Sequence, residues 1–167
     1  MPLFRQADTT FEECIGVRFP TGLDFSSESP ERAAQSKRQF AGYLDRKGKL
    51  VAKARDQYQH VIRSGDKEWA VAASARIGQL FRHFGDELAV APVPRPPIPT
   101  ALKGKARQEF IAAFVETYCQ TTQDKSKPLL KKAREAFAVC IAKAKELRVE
   151  SQWSKLCEAE QAADAPR

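Results

Sequence analysis

Two ten-residue stretches decide the fold, KARDQYQHVI at residues 53–62 and KAREAFAVCI at residues 132–141. They align without a gap: Lys, Ala, Arg and Ile are identical, and Asp/Glu and Tyr/Phe agree in kind. After each stretch we predict a turn and a helix with a tryptophan in its first turn, Trp69 in one case and Trp153 in the other. A recurring helix, turn and helix is typical of helical repeats, in which no unit buries its apolar face alone. The alternative is a chance match between helices rich in Lys, Ala and Arg.

The composition and apolar spacing around these stretches favour an all-α chain. Of the 167 residues only eight are glycine, while 43% are hydrophobic and 29% charged, as in a globular protein. Ser29 followed by Pro30 predicts a helix start. From there to Gly65 apolar residues recur at helical spacing, and Lys47 is the one interruption. A second helix, apolar on several sides and therefore buried, is predicted at residues 66–91.

Prolines divide the second half of the chain. Five of them lie within residues 92–99, so this segment is predicted to be a stiff, extended strap along the domain. A Pro-rich ligand motif is the alternative. Helices are predicted at residues 101–123 and 128–147, with Pro128 marking a new start or a kink, and a short last helix begins at Gln152. In the first of these, the apolar residues predicted to face inward are Phe110, Phe114, Val115 and Tyr118.

Together these elements predict one domain of stacked antiparallel helical hairpins. We expect an extended or poorly ordered segment at residues 1–28, a single helical domain at residues 29–163 and a frayed tail at residues 164–167. The large side chains predicted in its structural core are Trp69, Ile77, Phe81, Phe137 and Trp153.

Two longer stretches carry a family resemblance. They are GDKEWAVAASARIGQLFRHFGDELAVAPVPRPP at residues 65–97 and KPLLKKAREAFAVCIAKAKELRVESQWSKLCE at residues 127–158. The chain resembles the tetratricopeptide-repeat-like (TPR-like) proteins of myxobacterial and other deltaproteobacterial cell envelopes, over residues 11–160. Short pieces also fit the general repeat pattern: Ile77, Gly78 and Phe81 match its first helix, and Ala133 and Phe137 match its second.

The resemblance implies an irregular TPR-like α-solenoid that serves as an exported, non-enzymatic scaffold at one end of a larger repeat protein. The chain departs from the family pattern, because the internal match recurs after 79 residues and the usual repeat has 34. The first helix is overlong, and the proline strap has no place in the standard repeat. A regular superhelical groove with an inherited peptide site is therefore not carried over.

Cys140 and Cys157 lie at equal distances from a turn predicted at residues 148–149. In an antiparallel helix pair, residues equidistant from the turn lie level with each other. Cys140 is on the apolar stripe of its helix, and Cys157 follows Trp153 by four residues on the same face. We therefore predict a disulfide between them, which stabilises by about 3 kcal/mol in the loop-closure account. The alternative is two buried free thiols.

The sequence carries no catalytic, cofactor-binding or metal-binding pattern. Its four cysteines form no Cys-x-x-Cys pair of the kind typical of zinc sites. Cys14 and Cys119 lack the neighbouring base that a nucleophile requires. His60 and His83 lie on different helices without a ligand pattern and are predicted to be structural or solvated. We expect no enzymatic activity, no cofactor and no metal.

A formal net charge of +7 keeps a nucleic-acid-binding module as the alternative function. Such basic chains attract phosphate without sequence specificity. Acidic residues are mixed among the basic ones and no exposed aromatic residue interleaves them, so solvated helix faces are the simpler interpretation. The basic residues form two clusters: Arg46, Lys47, Lys49, Lys53 and Arg55, and Lys125, Lys127, Lys131, Lys132 and Arg134.

Localisation is predicted from the cysteines and the resemblance. The sequence has no apolar run near the ~20 residues that span a bilayer and no secretory signal at its start. It is therefore either cytoplasmic or a piece of a longer exported chain, and the apolar residues near its start favour a piece. A disulfide and the family resemblance favour the periplasm or cell envelope, where protein partners of unknown identity would bind.

Overall fold

Five helices form the part of the chain that the computed structural model describes, residues 1–26 and 28–164. Helix accounts for 79% of it, and these residues contain no strand. The predicted all-α class is confirmed. The helices are α1 (Pro2–Gly16), α2 (Pro30–Arg63), α3 (Lys67–Ala89), α4 (Gly104–Leu147) and α5 (Gln152–Ala163).

The predicted starts of α2 and α3 agree with the structure. The Ser29 side chain accepts a hydrogen bond from the Arg32 backbone N–H at 3.3 Å, and Pro30 is the first helical residue. Asp66 caps α3 in the same way, accepting from the Trp69 backbone N–H at 3.2 Å. These bonds satisfy amides that have no partner within the helix.

Helix α3 is the centre of the domain, because α2, α4 and α5 all pack against it. Two glycines allow α4 to come close. A Cβ atom at Gly78 would lie 2.4 Å from a ring carbon of Phe137, and one at Gly85 would lie 2.6 Å from a side-chain carbon of Leu130. Any side chain at these positions would push the helices apart.

Helix α4 corrects the prediction of two helices at residues 101–123 and 128–147. It is one helix of 44 residues with Pro128 inside it. An internal proline removes a hydrogen bond and costs about 3 kcal/mol, yet packing on both sides of it holds the helix together. The Ser126 hydroxyl donates to the backbone oxygen of Gly85 at 2.7 Å, and Leu130 packs on the same glycine.

Helix α1 corrects the prediction that residues 1–28 are extended or poorly ordered. Residues 2–16 are helical, and the buried side chains recur at helical spacing: Phe4, Ala7, Thr10 and Cys14. This helix packs against α2 and contacts α3. Its N-cap, Met1, makes no side-chain capping bond, so Pro2 at the first helical position was the start signal that the sequence offered.

The proline strap runs beside the segment that follows α1, as an extended connector. Arg95 forms an isolated parallel bridge with Asp24. The Phe25 backbone N–H donates to the Arg95 oxygen at 2.9 Å, and the Arg95 N–H donates to the Leu23 oxygen at 3.1 Å. The strap is therefore fixed to the body of the domain by backbone hydrogen bonds.

The predicted frayed tail, residues 164–167, is described only at its first residue. Asp164 is not frayed, since its carboxylate accepts a hydrogen bond from the Arg82 guanidinium on α3. Residues 165–167 lie outside the described residues.

Candidate interaction surface

The residues predicted to form the structural core all pack within it. Phe81 and Phe137 are buried, and the other three, Trp69, Ile77 and Trp153, are partly buried against the core. The Phe4 ring lies 4.7 Å from the Trp69 ring and 6.0 Å from the Trp153 ring, between centroids. Both tryptophans therefore serve packing between helices and are not free on the surface.

The predicted cysteine pair is at disulfide distance. The sulfur atoms of Cys140 and Cys157 are 2.12 Å apart and the Cα atoms 6.3 Å apart. The turn between α4 and α5 is built by Arg148, which has a left-handed backbone with φ of 55°. The Val149 N–H then donates to the Ala144 oxygen at 2.9 Å, which ends α4 and directs α5 back along it. Cys14 is a buried free thiol, and Cys119 a partly exposed one.

Helix α4 has two halves with different surroundings. The inner half, residues 126–147, packs along α3, with Cys140 near Val71, Phe137 on Gly78 and Leu130 on Gly85. Because α3 ends at Ala89, it does not continue beside the outer half, residues 104–120. At 1.5 Å per residue the outer half is about 25 Å long.

The outer half carries apolar side chains that belong to no core. Four of them are half-buried and lie outside the hydrophobic core and the side chains packed on it: Phe110, Ile111, Phe114 and Val115. Tyr118, at the end of this stripe, is 9% exposed, and its buried hydroxyl has no hydrogen-bond partner among the described residues. The Phe114 and Tyr118 rings stack with centroids 6.3 Å apart. Tyr118 thus faces inward as predicted, with its ring centroid 6.4 Å from that of Phe40, whereas the other three residues predicted to face inward are only half-buried.

A groove of about 330 Å³ separates the outer half of α4 from the strap. Arg95, Pro96 and Ile98 line it on the strap side, and Arg107 and Ile111 line it on the α4 side. The stripe thus has the strap along one edge and is open along the other.

The two carboxylates of the outer half lie on the face opposite the stripe, together with Lys105, whereas two other cations lie in line with the stripe, one of them just beyond the outer half. Counting 3.6 residues per turn from Phe110, Arg107 and Lys125 fall on the stripe, while Glu109 and Glu116 fall on the opposite face. Within the described chain neither Arg107 nor Lys125 has an acidic partner, whereas Lys105 pairs with Glu109 at 3.8 Å. Within the described residues, the stripe therefore has a positive charge without an acidic partner at each of its two ends along the helix.

A buried polar cluster around Lys47 was not predicted. The Lys47 side chain is 0% exposed, and its ammonium donates to the backbone oxygens of Cys14 at 2.8 Å and Val17 at 2.7 Å. It also lies 3.0 Å from the His83 Nε2 and 3.6 Å from the Glu87 Oε1. The signal in the sequence was Lys47 itself, the one interruption of the apolar stripe of α2.

Burial changes the acid–base properties of this cluster. It lowers the pKa of the Lys47 ammonium, which the nearby Glu87 carboxylate opposes. Burial, followed by the charge of Lys47, lowers the pKa of His83. Burial also raises the pKa of the Cys14 thiol. Since Lys47 bonds the last carbonyls of α1, the cluster ties α1 to α2 and α3.

The two predicted basic clusters are not continuous basic surfaces. Lys47, assigned to the first of them, is buried. On the surface Lys49 pairs with Asp45 at 2.9 Å, and Arg55 with Asp56 at 3.1 Å. In the second cluster the ion pairs are Lys127 with Asp124 at 3.6 Å and Lys131 with Glu135 at 3.9 Å. Alternating charge of this kind is typical of solvated helix faces.

The histidines do not form a common site. His60 is exposed on α2, whereas His83 belongs to the buried cluster. Within residues 1–26 and 28–164, no group of three His, Cys, Asp or Glu side chains is arranged to hold a metal ion. None of the five helices over this range has a segment long and apolar enough to cross a bilayer.

Comparisons with protein-family models, with curated proteins and with solved structures give no match for this chain.

Proposed function

We propose that this chain is a non-enzymatic, TPR-like helical scaffold that binds other proteins, as part of a periplasmic or cell-envelope assembly. The observation that carries the proposal is the outer half of α4. Its apolar stripe stands on a helix whose inner half is locked into the core, yet the stripe itself lies outside that core. A preformed helix that presents apolar side chains binds a partner without first being ordered, which lowers the entropic cost of association.

The partner that fits this surface is an amphipathic helix with acidic residues at its ends. Its apolar face would cover Phe110 and Phe114, and its carboxylates would meet Arg107 and Lys125, which have no acidic partner in the described chain. Helix-in-groove binding of this kind uses anchors at i, i+3 and i+4 spacing, which the stripe supplies.

The internal sequence match supports the repeat character of the scaffold. Residues 53–62 and 132–141 share the same burial class at nine of the ten positions. Ala54 corresponds to Ala133, both fully buried, and Tyr58 corresponds to Phe137, likewise fully buried. Two hairpins that bury equivalent positions are what a short, irregular helical array requires.

The cysteine pair supports the location. Cys140 and Cys157 lie at disulfide distance, and disulfides persist chiefly in oxidising compartments such as the periplasm. The cysteine pair bears only on the compartment, and the proposed partner is argued from the outer half of α4 alone.

A pull-down with matched variants tests the proposal. The immobilised chain, its Phe114→Asp variant and its Ala112→Asp variant are exposed to a bacterial envelope extract, and captured proteins are identified by mass spectrometry. Ala112 is exposed on the other side of the same helix, so Ala112→Asp adds the same charge away from the stripe. We expect one protein to be lost with Phe114→Asp and kept with Ala112→Asp, and a synthetic peptide of its acidic helix to compete.

Two results would contradict the proposal. Equal capture by all three forms would show that the stripe is not the binding surface. Recovery of nucleic acid alone, released by salt, would replace the scaffold with the nucleic-acid-binding alternative.

A further inference from the structure

Helix α1 is held at its carboxyl end by one side chain of α2. The Lys47 ammonium donates to the Cys14 and Val17 carbonyls at 2.8 and 2.7 Å. Carbonyls at a helix end have no partner within the helix and carry its partial negative charge, so a cation there is favourable. The rest of the contact includes the buried Ala7, Phe4 packed on Trp69, and Asp8, which pairs with Arg76 at 3.1 Å and accepts a hydrogen bond from the Tyr58 hydroxyl.

The third contact of Lys47 bears on the protonation state of His83. An ammonium group has three protons and no acceptor. Two protons go to the α1 carbonyls, and the His83 Nε2 lies 3.0 Å away. That nitrogen can accept the third proton only if it carries none of its own, so this contact favours a neutral His83 ring when α1 is docked.

We propose that this cluster is a pH-sensitive latch, in which protonation of His83 withdraws Lys47 from the α1 carbonyls and releases α1 from α2 and α3. A protonated ring places a second cation 3.0 Å from the ammonium and removes the acceptor of its third hydrogen bond. Both changes are costly, because Lys47 is fully buried and His83 only 24% exposed, so the two charges are less screened than in water and one donor is left unpaired.

The charged and titratable groups that face His83 come from four elements. From α3, Glu87 lies 3.7 Å away and Asp86 also attracts a proton to the ring. Lys47 on α2 and Arg18 in the segment after α1 both disfavour a proton on the His83 ring through their positive charge. The groups around Lys47 also include the Cys14 thiol of α1.

Glu87 does not cancel this repulsion. Its carboxylate already serves Lys47 at 3.6 Å and accepts a hydrogen bond from the Tyr43 hydroxyl. One carboxylate therefore faces two cations when His83 is protonated, and Arg18 adds a third positive charge nearby. The net effect, together with burial, is a lowered pKa of His83.

The direction of the pH effect follows from this lowering. Docked α1 disfavours the protonated ring, so docking is fully stable above the ordinary histidine pKa of about 6.5 and weakens as the pH falls below it. The loss levels off once the pH is below the lowered pKa of the docked state. Release uncovers the Tyr58 and Trp69 rings, both of which now pack on Phe4.

Cys14 reports the opening directly, because it is a free thiol on α1 that is fully buried while α1 is docked. In a Cys119→Ser background it is the only cysteine outside the Cys140–Cys157 pair. The rate of its reaction with 4,4′-dithiodipyridine is measured from pH 7.5 to 5.5 and divided by the rate for an unstructured cysteine peptide at each pH. We expect this normalised reactivity to rise about tenfold, as one histidine linked to release allows.

The two histidines of the chain provide the matched variants. His83→Gln keeps an acceptor for Lys47 and cannot titrate, so its normalised reactivity should stay flat. His60→Gln, on the exposed face of α2, should retain the full rise. The inference is overturned by a flat response in the parent, by an equal rise in His83→Gln, or by loss of helix beyond α1 in circular dichroism at pH 5.5.

Discussion

The two halves of α4 belong to one continuous helix and have similar apolar periodicity, yet only one of them is part of the core. In the inner half, Phe137 is 0% exposed and fills the space that Gly78 leaves free. In the outer half, Phe114 occupies the same kind of position on its stripe, but it stacks on Tyr118 and lies outside the main core cluster. The difference lies in α3, which ends before the outer half begins. An apolar stripe predicts a contact, and the length of the neighbouring helix decides whether the chain itself supplies it.

The difference between the two halves is tested most strongly by truncating one phenylalanine in each. Phe137→Ala should lower the free energy of unfolding by about 3–5 kcal/mol, because it removes a fully buried ring and leaves a cavity. Phe114→Ala should lower it by less than about 1 kcal/mol, because its ring is already part-exposed. Urea unfolding followed by circular dichroism measures both. Similar losses in the two variants would mean that the outer half is held in the fold as firmly as the inner half.

A second test concerns the inner half of α4 alone, where Cys140 lies at disulfide distance from Cys157 of α5. Reducing the Cys140–Cys157 pair, or replacing both residues by Ser, should lower the free energy of unfolding by about 3 kcal/mol, as expected for a loop of this size. Alkylation of the denatured, unreduced protein should modify only Cys14 and Cys119. Modification of Cys140 and Cys157 in that experiment would reject the pairing.

Local signals in the sequence were sufficient for the elements that depend on local chemistry. Ser29 and Asp66 cap their helices as predicted, because capping involves residues two or three positions apart. The Cys140–Cys157 pairing followed from the position of one turn. The all-α class followed from helical spacing and the scarcity of glycine.

Features that depend on distant residues were not predicted. The continuity of α4 through Pro128 rests on packing against Gly85, which lies 43 residues earlier in the sequence. The helical state of residues 2–16 rests on the faces of α2 and α3, since its cap offers no signal. The burial of Lys47 depends on the carbonyls of α1 and the His83 ring of α3, both distant in sequence. From the sequence alone, Lys47 was therefore only a polar residue that interrupts the apolar stripe of α2. The candidate surface was missed for the same reason, because the sequence does not show where α3 stops relative to α4.

The smallest expected effect is at Tyr118, where the two halves meet. In the part of the chain that the structure describes, its buried hydroxyl has no hydrogen-bond partner, and a buried unpaired hydroxyl is unfavourable. Tyr118→Phe should therefore leave the free energy of unfolding unchanged or raise it by up to about 1 kcal/mol, as measured by urea unfolding. A clear loss of stability would mean that the hydroxyl has a partner within the free chain, which would place Tyr118 with the inner half and shorten the surface left for binding.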